Sequence, residues 1–244
     1  MDNKNFLFRN SKVSWSRVSS GQIFSFKVKV RATAFSFLSL LVAFGVLVLF
    51  FMKSATSKTK LVVCFGDSLT AGYYQHGLRF EPYCRSIKVD GVKSIDYGTP
   101  GMTSSEMTSW VEKVLQEVAL THDSSAFEFW AFCALGGTND LSVAKPDTIA
   151  ANMKLVGEKA QAKFKHVLLG TLPVFPNLLR FSELHKKLKD VNQLLKSLPF
   201  SIIPFENACD VQDESLWDDG LHNSPKGYQV MGKLAEQELR KLLK

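Results

Sequence analysis

Leu61 to Phe65 is a run of five consecutive apolar residues, and short apolar runs of this kind recur along the chain near 92–97, 127–135, 166–171 and 200–205. A strand that is apolar at every position has no face to give to water, so it belongs in a parallel sheet covered on both sides. Amphipathic stretches at about 77–87, 104–121, 147–163, 178–198 and 225–243 fall between and after the runs, and read as the covering helices. Thr103 and Glu106 have capping-box spacing, and Ser224 before Pro225 places a cap ahead of a favoured first-turn proline. The expectation is one α/β domain over 61–244, about 184 residues and large enough to bury its own core.

The 60 residues before that domain are of another kind. The 244-residue chain has a formal charge of +7, which raises nucleic acid as a partner until the charge is located. Residues 1–31 hold seven Lys or Arg against Asp2 alone, 32–52 hold no charge, and 53–60 add three lysines. The remaining 61–244 carries 20 basic and 22 acidic side chains, a net of −2, which argues against a nucleic-acid enzyme. From Ala34 to Met52 only Ser36 and Ser39 are polar. Nineteen such residues make a helix of about 28 Å, the thickness of a bilayer's hydrocarbon core. The chain therefore divides into a basic tail over 1–33, a single transmembrane helix over 34–52, a linker over 53–60 and the domain. The excess of basic residues before the span points to a cytoplasmic amino terminus and a lumenal or extracellular body. The Ser-rich, acid-poor first 31 residues also fit an organelle-targeting segment.

Chemistry concentrates at the ends of the apolar runs. Gly66-Asp67-Ser68-Leu69 follows the first run directly, where ligands of open parallel sheets bind, so Ser68 is either a nucleophile or a helix cap. A serine hydroxyl needs a base, and a histidine serves best when a carboxylate fixes its tautomer. Of five histidines, only His222 has an acid, Asp219, three residues earlier in a loop ahead of a helix. His76, His122, His166 and His185 lack such a partner and read as surface or packing residues. Gly98 to Thr103 and Gly136 to Asp140 end the second and third runs. Both can present donors on the edge that holds Ser68, among them the Gly101 N–H and the Asn139 amide, as an acyl-transfer site requires.

These four blocks, in this order, resemble the SGNH/GDSL hydrolase family of serine esterases and lipases. The matching residues are Phe65 to Leu69, Gly98 to Thr103 through Gly101, Gly137 to Asp140, and Asp219 to His222, and the resemblance covers about 61–240. It implies a three-layer α/β/α sandwich with a five-stranded, flavodoxin-like parallel sheet. It also implies Ser68 as nucleophile, His222 as base and Asp219 as the group orienting it, with the N–H groups of Ser68 and Gly101 and the Asn139 amide as oxyanion hole. No cofactor or metal is implied. Tyr97 stands where many members carry Asn, a departure that touches a supporting contact and not the triad.

Cys64 and Cys133 lie within apolar runs and read as buried hydrophobes, while Cys84 and Cys209 are less constrained; a lumenal body could pair two of the four. The apolar loop 172–181 either lines an acyl pocket or packs through Val174, Phe175 and Leu179 onto the core. The functional expectation is a membrane-anchored ester hydrolase acting on lipid or small acylated esters. The alternatives are a glycan O-deacetylase or O-acyltransferase on the same triad, and a non-catalytic anchored binding module.

Overall fold

The structure, a computed structural model, describes residues 57–244, so the tail over 1–33, the span expected at 34–52 and the first part of the linker lie outside the described residues. No helix among the described residues is long and apolar enough to cross a membrane. Ser57–Lys244 forms one compact unit. Its sheet has five strands: β1 (Thr59–Gly66), β2 (Val92–Gly98), β3 (Phe127–Leu135), β4 (His166–Gly170) and β5 (Ser201–Ile203). Their order is β2-β1-β3-β4-β5 and every pair is parallel, the flavodoxin-like doubly wound arrangement. Strand β1 opens two residues ahead of the apolar run, because the Thr59 and Lys60 amides already donate to Ala126 and Gly91.

Parallel neighbours need crossovers, and five helices serve the strands: α1 (Ser68–Ala71), α2 (Ser104–Thr121), α3 (Pro146–Gln161), α4 (Ser182–Ser197) and α5 (Pro225–Lys241). Helices α2, α3 and α4 pack side by side on one face, and α5 packs with a 3₁₀ turn at Tyr83–Ser86 on the other. Gly232 of α5 lies so close to that turn that a Cβ there would stand 2.2 Å from the Tyr83 carbonyl oxygen. Interior strand β1 is buried throughout its apolar run. Along α2, Met107, Val111, Val114, Leu115 and Val118 form one buried stripe, and the helix starts with the expected capping box: Thr103 Oγ1 accepts from the Glu106 amide at 3.3 Å while Glu106 Oε2 accepts from the Thr103 amide at 2.8 Å. At α5, Ser224 Oγ accepts from Gly227 N ahead of Pro225.

The helix expected at 77–87 does not form. In its place are a two-residue hairpin, Tyr73–Tyr74 against Arg79–Phe80, and two 3₁₀ turns at Gln75–Gly77 and Tyr83–Ser86. Gln75, His76 and Gly77 all have positive φ, and Pro82 drives its predecessor out of the helical region. The helix expected from 178 begins at Ser182, after a 3₁₀ turn at Pro176–Arg180.

Candidate active site

Ser68 stands just past the carboxyl end of the interior strand β1. Strand β1 ends at Gly66, where a Cβ would lie 2.0 Å from the Leu135 carbonyl oxygen, so the turn out of the sheet needs glycine. Asp67, not Ser68, caps the short helix by accepting from the Leu69 amide at 2.9 Å. The cap reading of Ser68 therefore fails. The serine occupies the first helical position with its hydroxyl free for another partner, and Gly72, at φ 70°, ends α1 one turn later.

That partner is His222. The loop carrying it is closed on itself, with the Asp218 amide donating to the His222 carbonyl at 2.9 Å and the Ser224 amide to the Leu216 carbonyl at 2.9 Å. Asp219 Oδ1 accepts from the Leu221 and His222 amides at 2.7 and 2.6 Å, and its Oδ2 meets His222 Nδ1 at 2.9 Å. On the other side of the ring, His222 Nε2 lies 3.0 Å from Ser68 Oγ. Partial burial works against the Asp219 carboxylate, but the two amides and the imidazole outweigh it and hold its pKa below the ordinary value. A serine, imidazole and carboxylate linked in this order can move a proton off the hydroxyl and stabilise the imidazolium that results.

The oxyanion-hole candidates converge on the same edge. Gly98 lies against α1, and the Thr99 amide donates to the Gly66 carbonyl at 2.9 Å, which fastens the second block to the first. Gly101 has φ 81°, a left-handed conformation that favours glycine. The N–H groups of Ser68 and Gly101 have no acceptor among the described residues. One Asn139 amide proton goes to the Met102 carbonyl at 2.9 Å, joining the third block to the second and leaving the other proton for a ligand.

Three supports escaped the sequence reading. The Tyr73 ring packs on the His222 imidazole with centroids 4.5 Å apart, and the Tyr228 hydroxyl donates to the Tyr73 carbonyl at 2.8 Å. Buried Asp140 accepts from both the amide and the hydroxyl of Ser104, each at 2.8 Å, so it ties the loop after β3 to the start of α2. Asp67 is fully buried with Oδ2 unpartnered; burial foremost, and Asp140 to a lesser degree, push its carboxyl up to about 7. The capping spacing at Asp67 was visible in the sequence, whereas the contacts of Tyr73 and Asp140 depend on chain segments far apart in sequence.

The remaining candidates sort plainly. His122 packs on Phe127 and His166 on Trp130, while His76 is exposed and His185 half-buried. Val174 and Phe175 pack onto the core, as the second reading of loop 172–181 had it, but Leu179 and Phe181 are exposed. All four cysteines are free and buried, and burial pushes the Cys64 thiol up.

The family model for the GDSL-like lipase/acylhydrolase family matches residues 64–230. The chain belongs to that family. It is an ester-acting hydrolase on the α/β fold described above. Solved structures of like fold include a member of the lipolytic G-D-S-L family from Veillonella parvula, 21% identical with a TM-score of 0.59, covering 73% of this chain and 97% of the other. A psychrotrophic esterase from Pseudoalteromonas sp. has 18% identity and a TM-score of 0.56, over 75% of this GDSL-family chain and 98% of its own. An acetylxylan esterase from Geobacillus stearothermophilus has 15% identity and a TM-score of 0.56, over 75% and 95%. No curated protein matches the chain.

Proposed function

We propose that this family member is a membrane-anchored serine hydrolase that cleaves carboxylic esters through an acyl-enzyme on Ser68. The observation that carries the reading is the continuous relay, 3.0 Å from Ser68 Oγ to His222 Nε2 and 2.9 Å from His222 Nδ1 to Asp219. Ser68 Oγ attacks the ester carbonyl carbon as His222 Nε2 takes its proton. The tetrahedral oxyanion is held by the N–H groups of Ser68 and Gly101 and the free Asn139 amide proton, each such donor contributing about 10²–10³ in kcat. His222 then gives its proton to the departing alkoxide, and the alcohol leaves. Water attacks the acyl-enzyme, losing a proton to His222, which returns it to Ser68 Oγ as the acid is released. Asp219 keeps Nδ1 protonated throughout, so that Nε2 faces the serine as a base.

The anchoring reading rests on the uncharged stretch 34–52 between basic flanks, and places the body on the lumenal or extracellular side. Wild-type protein hydrolyses short-chain aryl esters and is labelled by a fluorophosphonate, and Ser68→Ala loses both while keeping its melting profile. Folded wild-type protein that does neither overturns the enzyme reading. Protease digestion of intact vesicles spares a lumenal body, and a body digested without detergent refutes that placement.

A further inference from the structure

The edge that carries Ser68 also carries most of the exposed apolar side chains. Of nine large hydrophobic residues exposed among the described residues, five lie on loops that follow the carboxyl ends of strands. Leu78 and Phe80 belong to the hairpin after β1, Val143 to the loop after β3, and Leu179 and Phe181 to the loop after β4; Leu78 is 83% exposed, Val143 80% and Phe181 57%. Scattered exposed hydrophobics need no explanation, but a set gathered at one end of a parallel sheet does.

A second pattern lies over the first. Each loop pairs its apolar tip with an exposed basic residue: Arg79 between Leu78 and Phe80, Lys145 two residues after Val143, and Arg180 between Leu179 and Phe181. None of the three basic side chains forms an ion pair or a side-chain hydrogen bond among the described residues, although several other Lys and Arg side chains of the body do, as in Lys186 with Asp190 and Arg240 with Glu236. A protein partner with an apolar groove would account for the tips alone. Apolar tips flanked by unpaired cations are the composition of surfaces that bury side chains at the headgroup boundary while cations meet lipid phosphates. In the anchored reading proposed above, only the linker 53–60 separates the span from the domain, so a bilayer is the partner at hand.

We infer that this edge docks on a phospholipid surface, with the tips of the three loops inserted around the mouth of the Ser68 site. The inference adds a binding surface to the function proposed above and does not need the triad to be active. It also makes lipid-borne esters the substrates presented to Ser68.

The test uses the full chain reconstituted in phosphatidylcholine–phosphatidylserine vesicles, with a nitrobenzoxadiazole label on Leu179→Cys; the four native thiols are buried and stay unlabelled in the folded protein. A matched label on Ser124→Cys sits in the turn before β3, at the opposite end of the sheet. Nitroxide-bearing lipid quenches the Leu179 label at least about twofold more than the Ser124 label. Adding Leu78→Ser, Val143→Ser and Phe181→Ser removes the difference but leaves hydrolysis of a soluble aryl acetate unchanged. Equal quenching of the two labels, or quenching indifferent to the triple replacement, overturns the docking. A blue shift that depends on protein concentration and not on nitroxide lipid overturns it in favour of a second copy of the chain. Absence of soluble-ester hydrolysis in the wild type refutes the enzyme reading and leaves the quenching result standing by itself.

Discussion

Gly98→Ala tests whether Ser68 is held in place by backbone contact. Gly98 ends β2 in register with Gly66, and a Cβ built on it would lie 2.1 Å from the Ala71 nitrogen, 2.4 Å from its Cα and 2.7 Å from the Thr70 carbonyl carbon. All three atoms are main chain of α1, so no side-chain rotation relieves the clash. Restoring ordinary contact at about 3.4 Å requires the helix and the strand end to separate by more than 1 Å at the Ala71 nitrogen, and α1 is the single turn that carries Ser68. Overpacking of this kind costs about 1–3 kcal/mol of stability. A displacement of about 1 Å at the reacting atom costs on the order of 10² in kcat. The assay is kcat on a short-chain aryl ester and the rate of fluorophosphonate labelling, with a thermal melt alongside. Gly91→Ala is the control: Gly91 has positive φ, at 72°, so a Cβ there strains the backbone, but nothing lies within 4 Å of its Cβ position and it is remote from the carboxyl edge. The control loses stability and keeps kcat. If Gly98→Ala is folded and retains kcat within about threefold, close approach of β2 does not position the serine, and the argument from misplacement is wrong.

Asp219→Asn keeps the shape of the loop but frees the His222 tautomer, and kcat on the same ester falls by about 10³–10⁴ with KM little changed. Asp67 gives a pH dependence of opposite sign to the usual carboxylate: its folded pKa, about 7, lies above the ordinary 3.8, so the folded state holds the proton more tightly and stability is lost as pH rises from about 4 to about 7. Asp67→Asn removes that loss, raising stability at pH 8 by up to about 4 kcal/mol and flattening the melting temperature between pH 5 and pH 8; an unchanged slope refutes the assignment. Asp140→Ala leaves the Ser104 amide and hydroxyl without their shared acceptor and destabilises the body by about 1–3 kcal/mol in denaturant titrations. Because that link sits between Met102 and Asn139, kcat falls more in Asp140→Ala than in Ser104→Ala, which retains the amide bond.

The strands and long helices were legible because their patterns are local. Five consecutive apolar residues describe a strand buried on two faces, and the Met107, Val111, Val114, Leu115 and Val118 stripe describes α2, whose capping box fixes its first residue. The segment 77–87 departs from its helical pattern for a physical reason. Phe80, Cys84 and Ile87 recur at helical spacing, yet Cys84 and Ile87 are buried by packing under α5 and not by helix periodicity, and Gly77 and Pro82 break the chain on either side of the hairpin strand. The blocks around Ser68, Gly101 and Asn139 were legible as blocks because each follows a strand. That Asn139 spends one proton on Met102 was not, since it depends on how two loops far apart in sequence face each other.

The hairpin region over 73–80, which runs into the segment expected to be helical, bears directly on the site. In the order β2-β1-β3-β4-β5, the first three blocks leave adjacent strands and meet without effort, whereas the loop carrying Asp219 and His222 follows edge strand β5 and must travel back across β4 and β3 to reach Ser68. Its own closing bonds give it shape but not position. Position comes from the hairpin region: Gln75 donates its amide to Asp218 Oδ2 at 2.7 Å, the Tyr73 carbonyl accepts from Tyr228 at the start of α5, and the Tyr73 ring lies on His222. The left-handed pair Gln75 and His76, unfavourable for residues with a Cβ, frees that amide to face the returning loop. Irregular backbone after α1 is thus the means by which a base from the far edge of the sheet is set 3.0 Å from a hydroxyl just past the end of β1.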